Sequence, residues 1–144
     1  MSSLTVLYSS LMHILQAQGV MITGMTIAAG MGRLRPLYTT ASYVTETELM
    51  GLHGYRLGDM DARQRIYDYN GLQFCLLSDT DGILCFLDIS GAEHLLVSYT
   101  DTALIALTHA TTTAPFLVQA VFRAFRPDIY AACERELATD VSTG

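Results

Sequence analysis

Between Asn70 and Leu107 the chain alternates short apolar runs with short polar links, and few folds accommodate that pattern. The runs span 72–77, 83–89, 95–99 and 103–107. The links are Ser78-Asp79-Thr80-Asp81-Gly82, Ser90-Gly91-Ala92-Glu93 and Thr100-Asp101-Thr102. Glycine supplies positive φ, and Asp or Ser bonds its own turn backbone, so these links read as hairpin turns. The expectation is an antiparallel meander flanked by a helix at each end of the chain.

Leu4, Leu7, Leu11, Ile14 and Leu15 recur at three- and four-residue steps, which predicts a first helix reaching about Gln16, capped by Ser2-Ser3 and ended by Gly19. Residues 19–27 read as a strand, 28–32 as a turn and 33–43 as a second strand. Pro36 cannot donate to a ladder, so that strand belongs at an edge. Thr45 and Glu48 form a capping box and predict a short helix; 55–63 reads as a loop and 64–69 as a strand. A last helix starts near Ala114, with Pro115 suited to its first turn. Leu117, Val118, Val121, Ala124 and Phe125 form its apolar side, Pro127 is expected to end or kink it, and 139–144 to fray. The fold class is α+β: six to seven antiparallel strands, terminal helices on one face and a short helix on the other. One domain, 1–144, accounts for the whole sequence.

Composition narrows function. Half the residues are apolar (51%), yet no run approaches the roughly 20 residues of a membrane span, and no signal peptide is expected. All eight cations are arginine and the net charge is −6. The arginines are scattered, which argues against nucleic acid and gives phosphoinositides little to grip. Cys75, Cys85 and Cys133 form no C-x-x-C pair and read as reduced, buried thiols. His13, His53, His94 and His109 have no metal-ligand spacing, so no metal or cofactor is expected. A Cys–His pair drawn from Cys75 or Cys85 with His94 or His109 would lie in a packed sheet, where a thiol is inert.

The segment from Leu76 to Leu84 is similar to the nucleophile motif of haloacid dehalogenase phosphatases. That chemistry needs a lysine, which the chain lacks, and later acidic metal ligands, with only 62 residues after Gly82 to supply them. A calcium loop counted from Asp79 would place Ser90, not Glu, at its twelfth position. The hairpin turn is the reading retained, and no enzyme is expected.

The order of elements resembles that of the profilin family over nearly the whole chain. Asn70-Gly71-Leu72-Gln73-Phe74-Cys75-Leu76-Leu77-Ser78-Asp79 is similar to that family's Gly-led strand ending before Asp. Val97-Ser98-Tyr99-Thr100-Asp101-Thr102-Ala103-Leu104-Ile105 resembles its last hairpin, and Tyr8 resembles half of its N-terminal aromatic pair. The resemblance implies a cytoplasmic, cytoskeletal, monomeric protein that binds monomeric actin and proline-rich peptides. It implies an actin face at Gln73, Ser78, Val118, Gln119, Phe122 and Arg123. The chain lacks tryptophan, so the polyproline groove falls to Tyr8, Tyr38, Phe125 and Tyr130. A different class also suits the pattern: a roadblock- or longin-like dimeric scaffold for a small GTPase, which usually has a long helix between its second and third strands.

Overall fold

Leucines on one stripe fold the first element against the sheet. In the computed structural model, which describes residues 3–31, 34–40, 44–53, 66–111 and 115–143, α1 (Ser3–Ala17) buries Leu4, Leu11 and Leu15. Ile14, assigned to the same stripe, is instead 37% exposed. Gly19, at φ 79, closes the helix, and the Val20 N–H donates to the Leu15 carbonyl. β1 (Ile22–Ala29) pairs antiparallel with β2 (Arg35–Thr39), which holds Pro36 and lies at the sheet edge, as its chemistry requires. α2 (Glu46–His53) begins with the expected reciprocal cap: Thr45 N–H to Glu48 Oε2 and Glu48 N–H to Thr45 Oγ1, both 3.2 Å.

β3 (Tyr67–Tyr69), β4 (Leu72–Thr80), β5 (Ile83–Asp88), β6 (Glu93–Tyr99) and β7 (Ala103–Ala110) form the meander. The β3–β4 and β4–β5 turns each hold two left-handed residues, Asn70-Gly71 and Asp81-Gly82, the geometry that matches strand twist. The β5–β6 turn is held by Asp88, whose carboxylate accepts from Ser90 Oγ and the Ala92 N–H. All pairs are antiparallel, in the order β2-β1-β7-β6-β5-β4-β3. α3 (Pro115–Thr143) then returns beside α1.

Strand alternation makes two cores. Met25, Ile27, Ile83, Cys85, Leu96, Ile105 and Leu107 face α1 and α3, meeting Leu11, Leu15, Val118, Phe122 and Ile129. Leu84, Phe86, Leu95, Val97, Leu104 and Ala106 face the other way, toward α2 with its Leu49 and Leu52. Each fully buried Leu or Phe contributes about 1.5–3 kcal/mol, so neither face is dispensable. The sheet is also curled. Tyr69 of β3 donates to Thr26 Oγ1 of β1 at 2.8 Å. In a flat sheet, strands five steps apart would be about 24 Å away, well beyond a tyrosine's reach.

Several expectations need correction. Pro127 does not end the last helix, which runs from Pro115 to Thr143. The Pro127 ring is exposed, opposite the buried Phe122 and Ile129, so the core anchors the helix on both sides of it. Cys75 is exposed. Among the described residues, the helical segment between β2 and β3 has eight residues. Ser2, Arg33, Tyr43, Arg56, the 55–63 loop, Arg63 and Arg65 lie outside the described residues. Among the described residues, no helix is long and apolar enough to cross a membrane.

Candidate functional site

The candidate face is built by an irregularity in β4. Up to Leu76 its even residues Leu72, Phe74 and Leu76 pack on the α2 side. A bulge between Leu76 and Ser78 shifts the register, so Ser78 pairs with Cys85 and turns to the α3 side. Without that extra residue, Ser78 would face the α2 core. Gln73 and Cys75 also lie on the α3 side by alternation and are exposed. Leu77, the extra residue, is 56% exposed.

α3 meets this surface with one flank. Phe116, Gln119 and Arg123 follow at three- and four-residue steps and share a side. Gln119 and Ser78 both offer hydrogen bonds to the buried Cys85 thiol, so the two elements converge there. Burial outweighs those bonds and pushes the thiol up to about 11. It is therefore protonated at neutral pH and no nucleophile, even with His94 Nδ1 3.7 Å away. Further along α3, Arg123 bridges Asp81 at 3.3 Å and Arg126 donates to the Asp81 carbonyl at 3.0 Å, clamping the β4–β5 turn to the helix.

The six residues implied for a partner face divide into two groups. Gln73, Ser78, Gln119 and Arg123 reach the surface, whereas Val118 and Phe122 are 0% and 1% exposed and hold α3 to the sheet. Phe116 stands 75% exposed at the start of the same flank. Its placement one turn before Gln119 was the available signal.

The four aromatics implied for a groove divide as well. Tyr8 of α1 and Tyr38 of β2 meet with ring centroids 4.8 Å apart. Phe125 is half-buried against the α1–α3 core. Tyr130 is five residues on, about 140° around the helix, and its hydroxyl sits 2.6 Å from Ser98 Oγ of β6. It therefore lies on the flank clamped to the sheet, away from Phe125. Beside the β3–β4 turn, a cleft of about 560 Å³ is lined by Glu48, Asp68, Asp88 and Ile89, and Gln73 alone of the implied residues touches it. Among the described residues, no group of His, Cys, Asp and Glu could hold a metal.

No protein-family model and no curated protein matches the chain. Solved structures do match. Profilin IB of Acanthamoeba castellanii superposes with a TM-score of 0.62, covering 84% of this chain and 91% of that one at 16% identity. LokiProfilin1, solved with rabbit actin, gives 0.65 over 93% of this chain and 97% of that one, at 14% identity. LokiProfilin2, also solved with rabbit actin, gives 0.66 over 87% and 93%, again at 14%. The chain has the profilin fold. Within the profilin fold, the bulge of β4 and the first turns of α3 meet at Cys85, and the Tyr8–Tyr38 pair joins α1 to β2.

Proposed function

We propose that this chain binds monomeric actin through the surface where β4 meets α3, with Gln73, Ser78, Gln119 and Arg123 as polar contacts and Phe116 as the apolar anchor. The observation that carries the reading is the convergence of Ser78 and Gln119 over Cys85, on a fold that LokiProfilin1 and LokiProfilin2 share while solved with rabbit actin. The face is mostly neutral: Arg123 is engaged with Asp81. Shape and the Phe116 ring would then supply more of the affinity than charge steering does. No catalytic step is assigned. The protein acts as a cytoplasmic monomer of the cytoskeleton that regulates polymerisation by holding actin subunits.

Proline-rich peptides are the second partner in this reading, gripped by the Tyr8–Tyr38 pair with Phe125 beside it. A polyproline II segment is already ordered, so flat rings can hold it at low entropic cost. Tyr130 plays no part, because its hydroxyl is committed to Ser98. Phosphoinositides are not assigned.

A pyrene-actin polymerisation assay tests the first partner. The wild-type protein slows spontaneous assembly, and Phe116→Ala weakens that effect about tenfold. Folded protein that leaves assembly unchanged removes the actin reading and keeps only the fold. Tyrosine fluorescence titrated with polyproline tests the second: Tyr38→Ala abolishes the response, while Tyr130→Phe leaves it intact.

A further inference from the structure

The β6–β7 ladder places His94 directly opposite His109, and their rings stack with centroids 5.2 Å apart at 30°. Both are buried, at 7% and 0% exposure. His109 Nδ1 is 2.9 Å from the Ala110 carbonyl and must carry the proton to donate to it. Nε2 is then a bare acceptor, and it has no partner. Around this pair the chain is tied by a few hydrogen bonds: Ala110 N–H to the Met21 carbonyl, Thr111 N–H to that of Ala92, and Thr111 Oγ1 to that of Gly91. His94 in turn touches Cys85, on which Ser78 and Gln119 converge.

A second proton on His109 would have to enter at Nε2, where nothing accepts it. The facing groups offer no compensation. On β6, Glu93 is the residue next to His94 and points to the opposite side by alternation. On β5 the neighbour is the Cys85 thiol, while Asp88 faces the α2 side and is engaged with Ser90 and Ala92. The β1 partner is Ile22. On α3, residues 115–122 carry no charge, and Arg123 turns to Asp81. The titratable group bearing on His109 is His94, a potential like charge.

We propose that the stacked His94–His109 pair is a proton-gated latch: it keeps the β5–β6 turn and the end of β7 closed while His109 is neutral, and releases them when His109 takes up a proton. Burial, and secondarily His94, hold His109 below its ordinary value, against the opposing bond to Ala110. The sign follows. An opened ring binds its proton near pH 6.5 and the closed ring only at lower pH, so closure is fully present above about 6.5 and is lost as pH falls below it. Because Ser78 and Gln119 lie over the same cluster, acid would also weaken the actin surface. That consequence rests on the proposed function; the latch itself does not.

Thiol labelling of the full chain, followed by mass spectrometry without actin, tests the latch. Exposed Cys75 serves as the internal reference, and Cys133, on the buried face of α3, reports global opening. Between pH 6.5 and 5.5 the Cys85:Cys75 labelling ratio should rise by up to about fivefold while Cys133:Cys75 stays flat; His109→Gln should flatten both. A Cys85 ratio that stays flat, or that rises only in step with Cys133, overturns the proposal. Should the variant fail to fold, NMR titration of the unaltered protein decides: His109 titrating at or above pH 6.5 in the closed state also overturns it. Pyrene-actin assays at pH 7.5 judge the actin reading separately, since loss of binding there leaves the labelling result standing.

Discussion

At the residue scale, the β4–β5 turn carries more constraint than its exposure suggests. Gly82 holds φ 75, and a Cβ there would meet Arg126 Nη1 at 3.3 Å. Gly82→Ala should cost about 1–2 kcal/mol, from left-handed strain on an L-residue and crowding of the Arg126 clamp. Urea denaturation should show a lower midpoint with an unchanged m value. Tyr69 offers a cleaner case. Burial pushes its phenol up to about 12, outweighing the bond to Thr26, so it remains a neutral donor through the neutral range. Tyr69→Phe removes one hydrogen bond, and Thr26 keeps its contact with Thr39; a loss of about 1 kcal/mol by the same measurement is expected. The Asp81-Gly82 and Asn70-Gly71 turns were legible because a turn's chemistry is contained in its own few residues. The Arg126 clamp was not, because it joins residues that are neighbours only in three dimensions.

At the scale of elements, local signals succeeded where local physics decided the outcome. The Thr45–Glu48 box and the edge placement of Pro36 follow from hydrogen-bonding capacity alone. Thr45→Ala should therefore cost about 1 kcal/mol, read by the same denaturation. Pro127 misled because its helix-breaking tendency is weighed against tertiary anchors that the local sequence does not reveal. Phe122 and Ile129 pin α3 on either side of it, and the ring projects into solvent. Pro127→Ala gives the Arg123 carbonyl an N–H partner again and should stabilise the protein by about 1–3 kcal/mol, seen as a higher denaturation midpoint. The β4 bulge was equally illegible: strict alternation from Phe74 places Ser78 on the α2 side, and only the observed register with Cys85 moves it to the α3 side. The candidate face depends on that single inserted residue, Leu77.

At the scale of the whole molecule, two cores on opposite faces of one curled sheet position two separate surfaces. The meander was readable from its turns, and the pairing of the terminal helices from the resemblance. The curl was not, since it shows only in the Tyr69–Thr26 contact across the intervening strands. The aromatic set separated for a related reason: Phe125 and Tyr130 are close in sequence yet on different flanks of α3. Hydrogen exchange of the chain, free and saturated with monomeric actin, locates the partner surface. Actin seated where β4 meets α3 should slow exchange in β4 around 73–78 and in the first turns of α3 around 116–123, with α1 and β2 unchanged. Slowing confined to α1 and β2, or absent everywhere at saturating actin, would contradict it.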